Sequence, residues 1–252
     1  MHSDGNQALS KVPAVTLVFW MIKIAATTLG ETGGDAVSMS MNLGYLVGTV
    51  IFAAIFAVAV FAQIVARRFN PWLYWGTIVA TTTVGTTLAD YVTRSLGIGY
   101  AGGTSLLFVL LIASLLVWHR ALGSISIDTV STPQAEIHYW LTIMFSQTLG
   151  TALGDWTADT AGLGYVGAAI IFSALLALVA GGYFWTAISR TSLFWTAFIL
   201  TRPLGAVVGD FLDKPVAAGG LALSRYSASA VLLLFMVACI IVFRQRAAER
   251  SH

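Results

Sequence analysis

Four aspartates, Asp35, Asp90, Asp155 and Asp210, each stand fifteen residues after a tryptophan: Trp20, Trp75, Trp140 and Trp195. On a helix, residues four apart fall on one slowly drifting stripe, and positions three, seven, eleven and fifteen after each tryptophan are spaced that way. The stripe reads Lys23, Thr27, Glu31, Asp35 in the first copy and Ile78, Thr82, Thr86, Asp90 in the second. The third reads Ile143, Gln147, Thr151, Asp155, and the fourth Phe198, Arg202, Ala206, Asp210. Hydroxyl, amide and carboxylate oxygens without thiols make a hard-ligand set suited to Mg²⁺, Ca²⁺ or Mn²⁺ more than to copper or zinc. The expected metal ligands are Glu31, Asp35, Asp90, Asp155 and Asp210, with Lys23, Thr27, Thr82, Thr86, Gln147, Thr151 and Arg202 lining a polar pathway. Carboxylates crowded around one axis repel each other, so exchange of protons against a metal is physically reasonable.

Beside each polar stripe runs a row of small residues: Gly30 with Gly34, Gly85 with Ala89, Gly150 with Gly154, and Gly205 with Gly209. This small-xxx-small spacing lets membrane helices approach closely. The plainer reading is that the glycines only pack and the aspartates only cap helices. Against it, seven of the eleven acidic residues (Glu31, Asp35, Asp90, Asp155, Asp159, Asp210 and Asp213) lie in these segments. Carboxylates at membrane depth are costly unless paired, protonated or holding a cation. Lys23 and Arg202 break the symmetry. Both are candidate internal counter-ions; Lys23 could instead snorkel to an interface, and Arg202 could gate the pathway or bind an anion.

The elements that must position these residues follow from composition. The chain has 252 residues, 58% hydrophobic and only 10% charged, with mean hydropathy +0.84. That is a bilayer composition. A span needs about 20 helical residues, and eight fit, at roughly 13–34, 43–66, 72–92, 99–119, 137–157, 163–187, 192–211 and 223–243. The fold expected is an all-α integral membrane domain of eight transmembrane helices over 1–252, arranged as four parallel two-helix repeats at about 13–66, 71–120, 136–187 and 191–245. A Gly-Tyr pair, Gly44-Tyr45, Gly99-Tyr100 and Gly164-Tyr165, closes each motif in three copies, with Gly219-Gly220 in the fourth.

Lys11, Arg67, Arg68, Arg120, Arg190, Arg244, Arg246 and Arg250 lie at the termini or after even spans, against Arg94, Lys214 and Arg225 after odd ones. Both termini are therefore expected in the cytoplasm, with the aspartates toward the outer side. No removable signal peptide is read at the start. The single cysteine, Cys239, rules out an internal disulfide and a cysteine cluster. His2, His119, His138 and His252 lack a paired metal spacing. No nucleotide loop, serine elbow or hydrolase carboxylate pair is present, so neither an enzyme nor a bound cofactor is expected. Nor do the cations form a nucleic-acid stripe.

The block Lys23 to Tyr45, KIAATTLGETGGDAVSMSMNLGY, with its three weaker echoes, resembles the bacterial membrane-protein family built of a tandem two-helix repeat of unknown function. The resemblance covers nearly the whole chain and implies four repeats, an all-helical membrane fold and a place in the bacterial inner membrane. The fourth copy, with Arg202-Pro203 and no Gly-Tyr, departs most. Glu-x-Gly-Gly-Asp at Glu31 to Asp35 is also similar to the Glu-x-Gly-Asp signatures of small manganese and calcium exporters, whose helix count differs. The leading expectation is proton-coupled export of a divalent cation such as Mn²⁺. The alternatives are a carrier for a small organic solute, bound through Lys23 and Arg202, and a non-transporting scaffold or sensor. The partners expected are the lipid bilayer, an inorganic cation or small solute, and a second copy of the chain.

Overall fold

The computed structural model describes residues 10–248, which leaves His2, Arg250 and His252 outside the described residues. Among the described residues eight long helices form: α1 Leu17–Asp35, α2 Gly44–Val65, α3 Pro71–Asp90, α4 Gly99–Leu122, α5 Pro133–Asp155, α6 Gly164–Trp185, α7 Arg190–Asp213 and α8 Arg225–Val242. Among the described residues no strand forms beyond an isolated bridge between Pro13 and Ala247. Local chemistry sets the helix starts. The Thr16 hydroxyl accepts from the Phe19 amide, the Asn70 side chain from Trp72 and Leu73, and Thr132 from Ala135, with Pro71 and Pro133 in the first turn. Each of these supplies an acceptor for an amide that has no partner inside its helix.

After Asp35, Asp90 and Asp155 the chain widens into one π-helical turn, at Ala36–Ser40, Tyr91–Ser95 and Trp156–Thr160. The glycine of the Gly-Tyr pair then reverses the chain with φ of 76° at Gly44, 70° at Gly99 and 64° at Gly164. Gly219 keeps this conformation, at 87°, although no tyrosine follows it. The glycine is thus a backbone requirement of the reversal.

The odd helices close into a ring: α1 packs on α3, α3 on α5, α5 on α7, and α7 back on α1. Each even helix packs on the inner helix of the following repeat, α2 on α3, α4 on α5 and α6 on α7, and α8 returns to α1. Glycine makes the ring possible. A Cβ on Gly30 would fall inside the Thr82 side chain, one on Gly150 inside Arg202, and one on Gly205 inside Thr27; one on Gly85 would meet the Gln147 Cβ at 2.9 Å. The residue ten after each tryptophan therefore receives the residue seven after the next tryptophan, four times around. Gly34 repeats the contact one turn later against Thr86, Gly154 against Ala206 and Gly209 against Glu31, so the inner helices run in one direction.

The tryptophans act in the same cyclic way. Phe19 lies 5.3 Å from the Trp75 ring, Tyr74 5.6 Å from Trp140, Tyr139 6.2 Å from Trp195, and Phe194 5.9 Å from Trp20. Of the two roles the sequence allows them, interface anchor or packing, the structure places them in packing between successive repeats. Residues Ser10–Ala14 cover this aromatic end. The Lys11 amide donates to Val130 O at 3.0 Å, the Ala248 amide to Val12 O at 2.8 Å, and the Lys11 ammonium stands 2.6 Å from Glu136.

Five helices, α2, α4, α6, α7 and α8, are long and apolar enough to cross a membrane. The most apolar window of α2 is only 6% buried within the protein, an exposed apolar face far larger than a water-soluble surface sustains. The inner helices α1, α3 and α5 have their hydroxyl and carboxyl residues buried against protein. Gly205→Ala should lower thermal stability in detergent by about 2 kcal/mol or more by forcing α7 away from α1. Gly33→Ala, whose new methyl meets open space, should be neutral or stabilising by about 0.5–1 kcal/mol. Equal effects of the two would contradict the close-approach argument.

Candidate functional site

The ladder residues occupy the ring interior in stacked layers. Lys23, Thr27, Thr82, Gln147, Thr86, Thr151 and Arg202 are all fully buried. Arg202 fills the middle and touches the other three inner helices. Its guanidinium lies 2.9 Å from Glu31 Oε2, donates to Thr27 O at 3.2 Å and to Thr86 Oγ1 at 2.6 Å, and also bonds Thr151 Oγ1. The Thr86 hydroxyl in turn lies 3.2 Å from Glu31 Oε2. Arg202 is therefore the internal counter-ion that its place in the ladder allowed, and Glu31 is the anion it serves.

Lys23 behaves differently. Its ammonium lies 4.1 Å over the Phe198 ring and has no hydrogen-bond partner among the described residues. At 0% exposure it does not reach an interface, so snorkelling is excluded. Neither end of the Gln147 amide finds a partner among the described residues, and the polar stripe is not a continuous hydrogen-bonded chain.

The aspartates form the last layer, and cations divide it. Arg94 Nε lies 2.9 Å from Asp90 Oδ1 while its NH2 group donates to Asp155 Oδ2 at 3.0 Å. In the same pattern Lys214 lies 3.0 Å from Asp210 Oδ1 and bonds Asp35 Oδ2. Each cation stands four residues after the aspartate of its own repeat and reaches the aspartate of the next. Burial works against the charge of both Arg94 and Lys214, but the flanking aspartates outweigh it and hold each pKa above its ordinary value. The equivalent positions of the first and third repeats are Met39 and Asp159, so the layer has two-fold symmetry instead of four-fold. Arg225 pairs with Asp213 at 2.8 Å.

Asp35, Asp90 and Asp155 make no capping hydrogen bond to the turns that follow them. Asp35 Oδ1 and Asp155 Oδ1, equivalent atoms of the first and third repeats, are buried with no hydrogen-bond partner among the described residues. Glu31, Asp35 and Asp210 each offer a carboxylate oxygen within 4.8 Å of the others. Asp90 and Asp155 form a second group around Arg94. Sequence reasoning used Arg94, Lys214 and Arg225 only as markers of topology. The signal that could have found two of them is their shared position four residues after an aspartate, one helical turn away.

Residues 18–69, 73–123, 138–189 and 193–248 match the family model described as Repeat of Unknown Function (DUF347), each match covering one inner and one outer helix. Neither a curated protein nor a solved structure matches the chain.

Because Glu31 and Arg202 are buried together, removing either one strands the other. Glu31→Gln and Arg202→Gln should each cost about 3–5 kcal/mol. The double variant should cost less than their sum, with a coupling of about 1 kcal/mol or more. Unfolding of the four proteins in detergent measures this, and additive losses would show that the pair does not act as a unit.

Proposed function

The chain belongs to the family built from this repeat of unknown function, and from that premise we propose a multi-pass protein of the bacterial inner membrane that exports a divalent cation such as Mn²⁺ in exchange for protons. In this reading all eight helices span the bilayer as four parallel two-helix repeats. Both termini are cytoplasmic and the aspartate layer faces outward, as the Lys and Arg distribution favours. The outer helices and α7 have the length and apolarity required. The remaining inner helices carry their hydroxyl and carboxyl groups toward protein, where polar side chains at membrane depth are tolerated.

The observation that carries the reading is the charge of the aspartate layer. Four buried carboxylates, Asp35, Asp90, Asp155 and Asp210, meet Arg94 and Lys214, and Arg225, which pairs with Asp213, also stands 3.7 Å from Asp35. Glu31 is balanced by Arg202 and Asp213 by Arg225, so neither adds to the excess. Two negative charges remain in a layer poor in water. One divalent cation cancels them, and so do two protons, so exchanging one for the other conserves the layer's charge. Arg202, which fills the ring below, closes the route in this conformation, and transport requires the Glu31–Arg202 contact to open.

A second reading draws on Lys23, a buried ammonium without an anionic partner among the described residues. A carrier for a small acidic organic solute would supply that partner.

Reconstituted protein should admit Mn²⁺ to vesicles with opposite proton movement, followed by an internal metal-quenched dye and a pH dye. Asp35→Asn and Asp155→Asn should each lower the Mn²⁺ rate by about tenfold or more. Unchanged flux and binding in both variants would overturn the reading. Loss of acidic-solute uptake in Lys23→Met, with metals without effect, would replace it by the second.

A further inference from the structure

The two cations in the aspartate layer are not held alike. Arg94 is a planar fork that engages two carboxylates through different nitrogens, 2.9 Å from Asp90 and 3.0 Å from Asp155, and it lies 5.7 Å from the Tyr100 ring. Lys214 is a single point charge on a rotatable stem. It sits just past the end of α7 in extended backbone, with its side chain 13% exposed. Arg94 is the more exposed of the two, at 31% against 13% for Lys214, so what separates them is chemistry: a fork fixed by two carboxylates against a point charge whose stem can swing aside.

The surroundings of the Lys214 ammonium have the form of a metal site. Asp35 Oδ2, Asp210 Oδ1 at 3.0 Å and the Met39 thioether sulfur at 3.9 Å converge on it from the end of α1, the turn after it and α7. Glu31 offers a further carboxylate oxygen within 4.8 Å of those of Asp35 and Asp210. Asp35, itself 0% exposed, keeps Oδ1 without a hydrogen-bond partner among the described residues, so its capacity as a ligand is not exhausted by the ammonium and by Arg225, 3.7 Å from its Oδ2.

We propose that the Lys214 side chain is a tethered occupant of the cation site, and that a divalent metal cation binds between Asp35, Asp210 and Glu31 by displacing it. This rests on the metal-transport reading above and adds a built-in competitor to it. The exchange raises the local charge by one unit: with the ammonium present, the Asp35–Asp210 pair keeps one net negative charge; with a divalent cation in its place, the pair is neutral. Binding both together would leave one net positive charge on the buried Asp35–Asp210 pair, beside the Arg225 guanidinium 3.7 Å from Asp35, which is unfavourable. A tethered ammonium that fills the site about nine-tenths of the time lowers the apparent metal affinity about tenfold, so an outward-facing site of this kind releases its cargo readily.

The test uses the full chain in detergent with MnCl₂ as the probe. Lys214→Met should bind Mn²⁺ about tenfold more tightly than the parent by calorimetry, while Lys214→Arg, which keeps the charge, should not. In the unaltered protein, saturating Mn²⁺ should raise labelling of Lys214 by an amine-reactive ester several-fold, read by peptide mass spectrometry; this arm decides the matter if Lys214→Met does not fold. Unchanged or weaker Mn²⁺ binding by folded Lys214→Met, or Lys214 labelling indifferent to Mn²⁺, overturns the displacement. If the parent binds Mn²⁺ and Asp35→Asn does not while Lys214 labelling stays constant, only the displacement fails. If the parent binds no Mn²⁺ at all, the metal-transport reading fails and takes the displacement with it.

Discussion

The four inner helices approach one another closely enough that some of their contacts leave no room for a side chain. Gly30, Gly85, Gly150 and Gly205 stand at these contacts, each receiving Thr82, Gln147, Arg202 or Thr27 of the next inner helix where a methyl group would collide. Much else follows from this approach distance. It brings the Glu31, Thr86, Thr151 and Ala206 level together and then the aspartate layer, and it leaves Arg202 where its long side chain reaches three neighbouring helices. The same geometry recurs at the aromatic end, where each ring packs on the tryptophan of the next repeat.

Bringing polar helices that close together removes their charged groups from water, and the second constraint is then charge compensation. A buried carboxylate without a cation is costly, and the chain meets this with positions that differ between repeats. Arg94 and Lys214 serve the aspartate layer in two-fold fashion, while Arg202 and Glu31 occur once each and reduce the ring to an asymmetric interior. The residual imbalance in the aspartate layer is the feature on which the proposed cation exchange rests.

The outer helices wrap this interior in an apolar exterior of the length and hydropathy that a membrane span needs. Each lies on the inner helix of the following repeat, and α8 returns to α1, so adjacent repeats interlock and the ring is closed by the chain's own order. Their outward faces are apolar, whereas the inner helices can afford low hydropathy because they are sheltered.

Along the chain, the tryptophan, glycine and aspartate spacings were enough to determine the repeat, the number of helices, the face on which the ladder lies and the gathering of the aspartates, because these depend on helical period and on local composition. Gly44, Gly99, Gly164 and Gly219 were visible as a motif, but their shared left-handed conformation was not, since a backbone angle leaves no direct mark in a residue's identity. The pairing of Gly30 with Thr82 was decided by the crossing of two helices, which offsets the contact by three positions. Arg94 and Lys214 stood in the sequence as charges near span ends; only the tertiary structure turned them onto the aspartates of neighbouring repeats. The opposite fates of Arg202, paired with Glu31, and Lys23, set over an aromatic ring with no hydrogen-bond partner among the described residues, were settled in the same way. A periodic pattern records which face of a helix turns inward, while the partner met there, and whether a buried charge is compensated, depends on atoms supplied by distant parts of the chain.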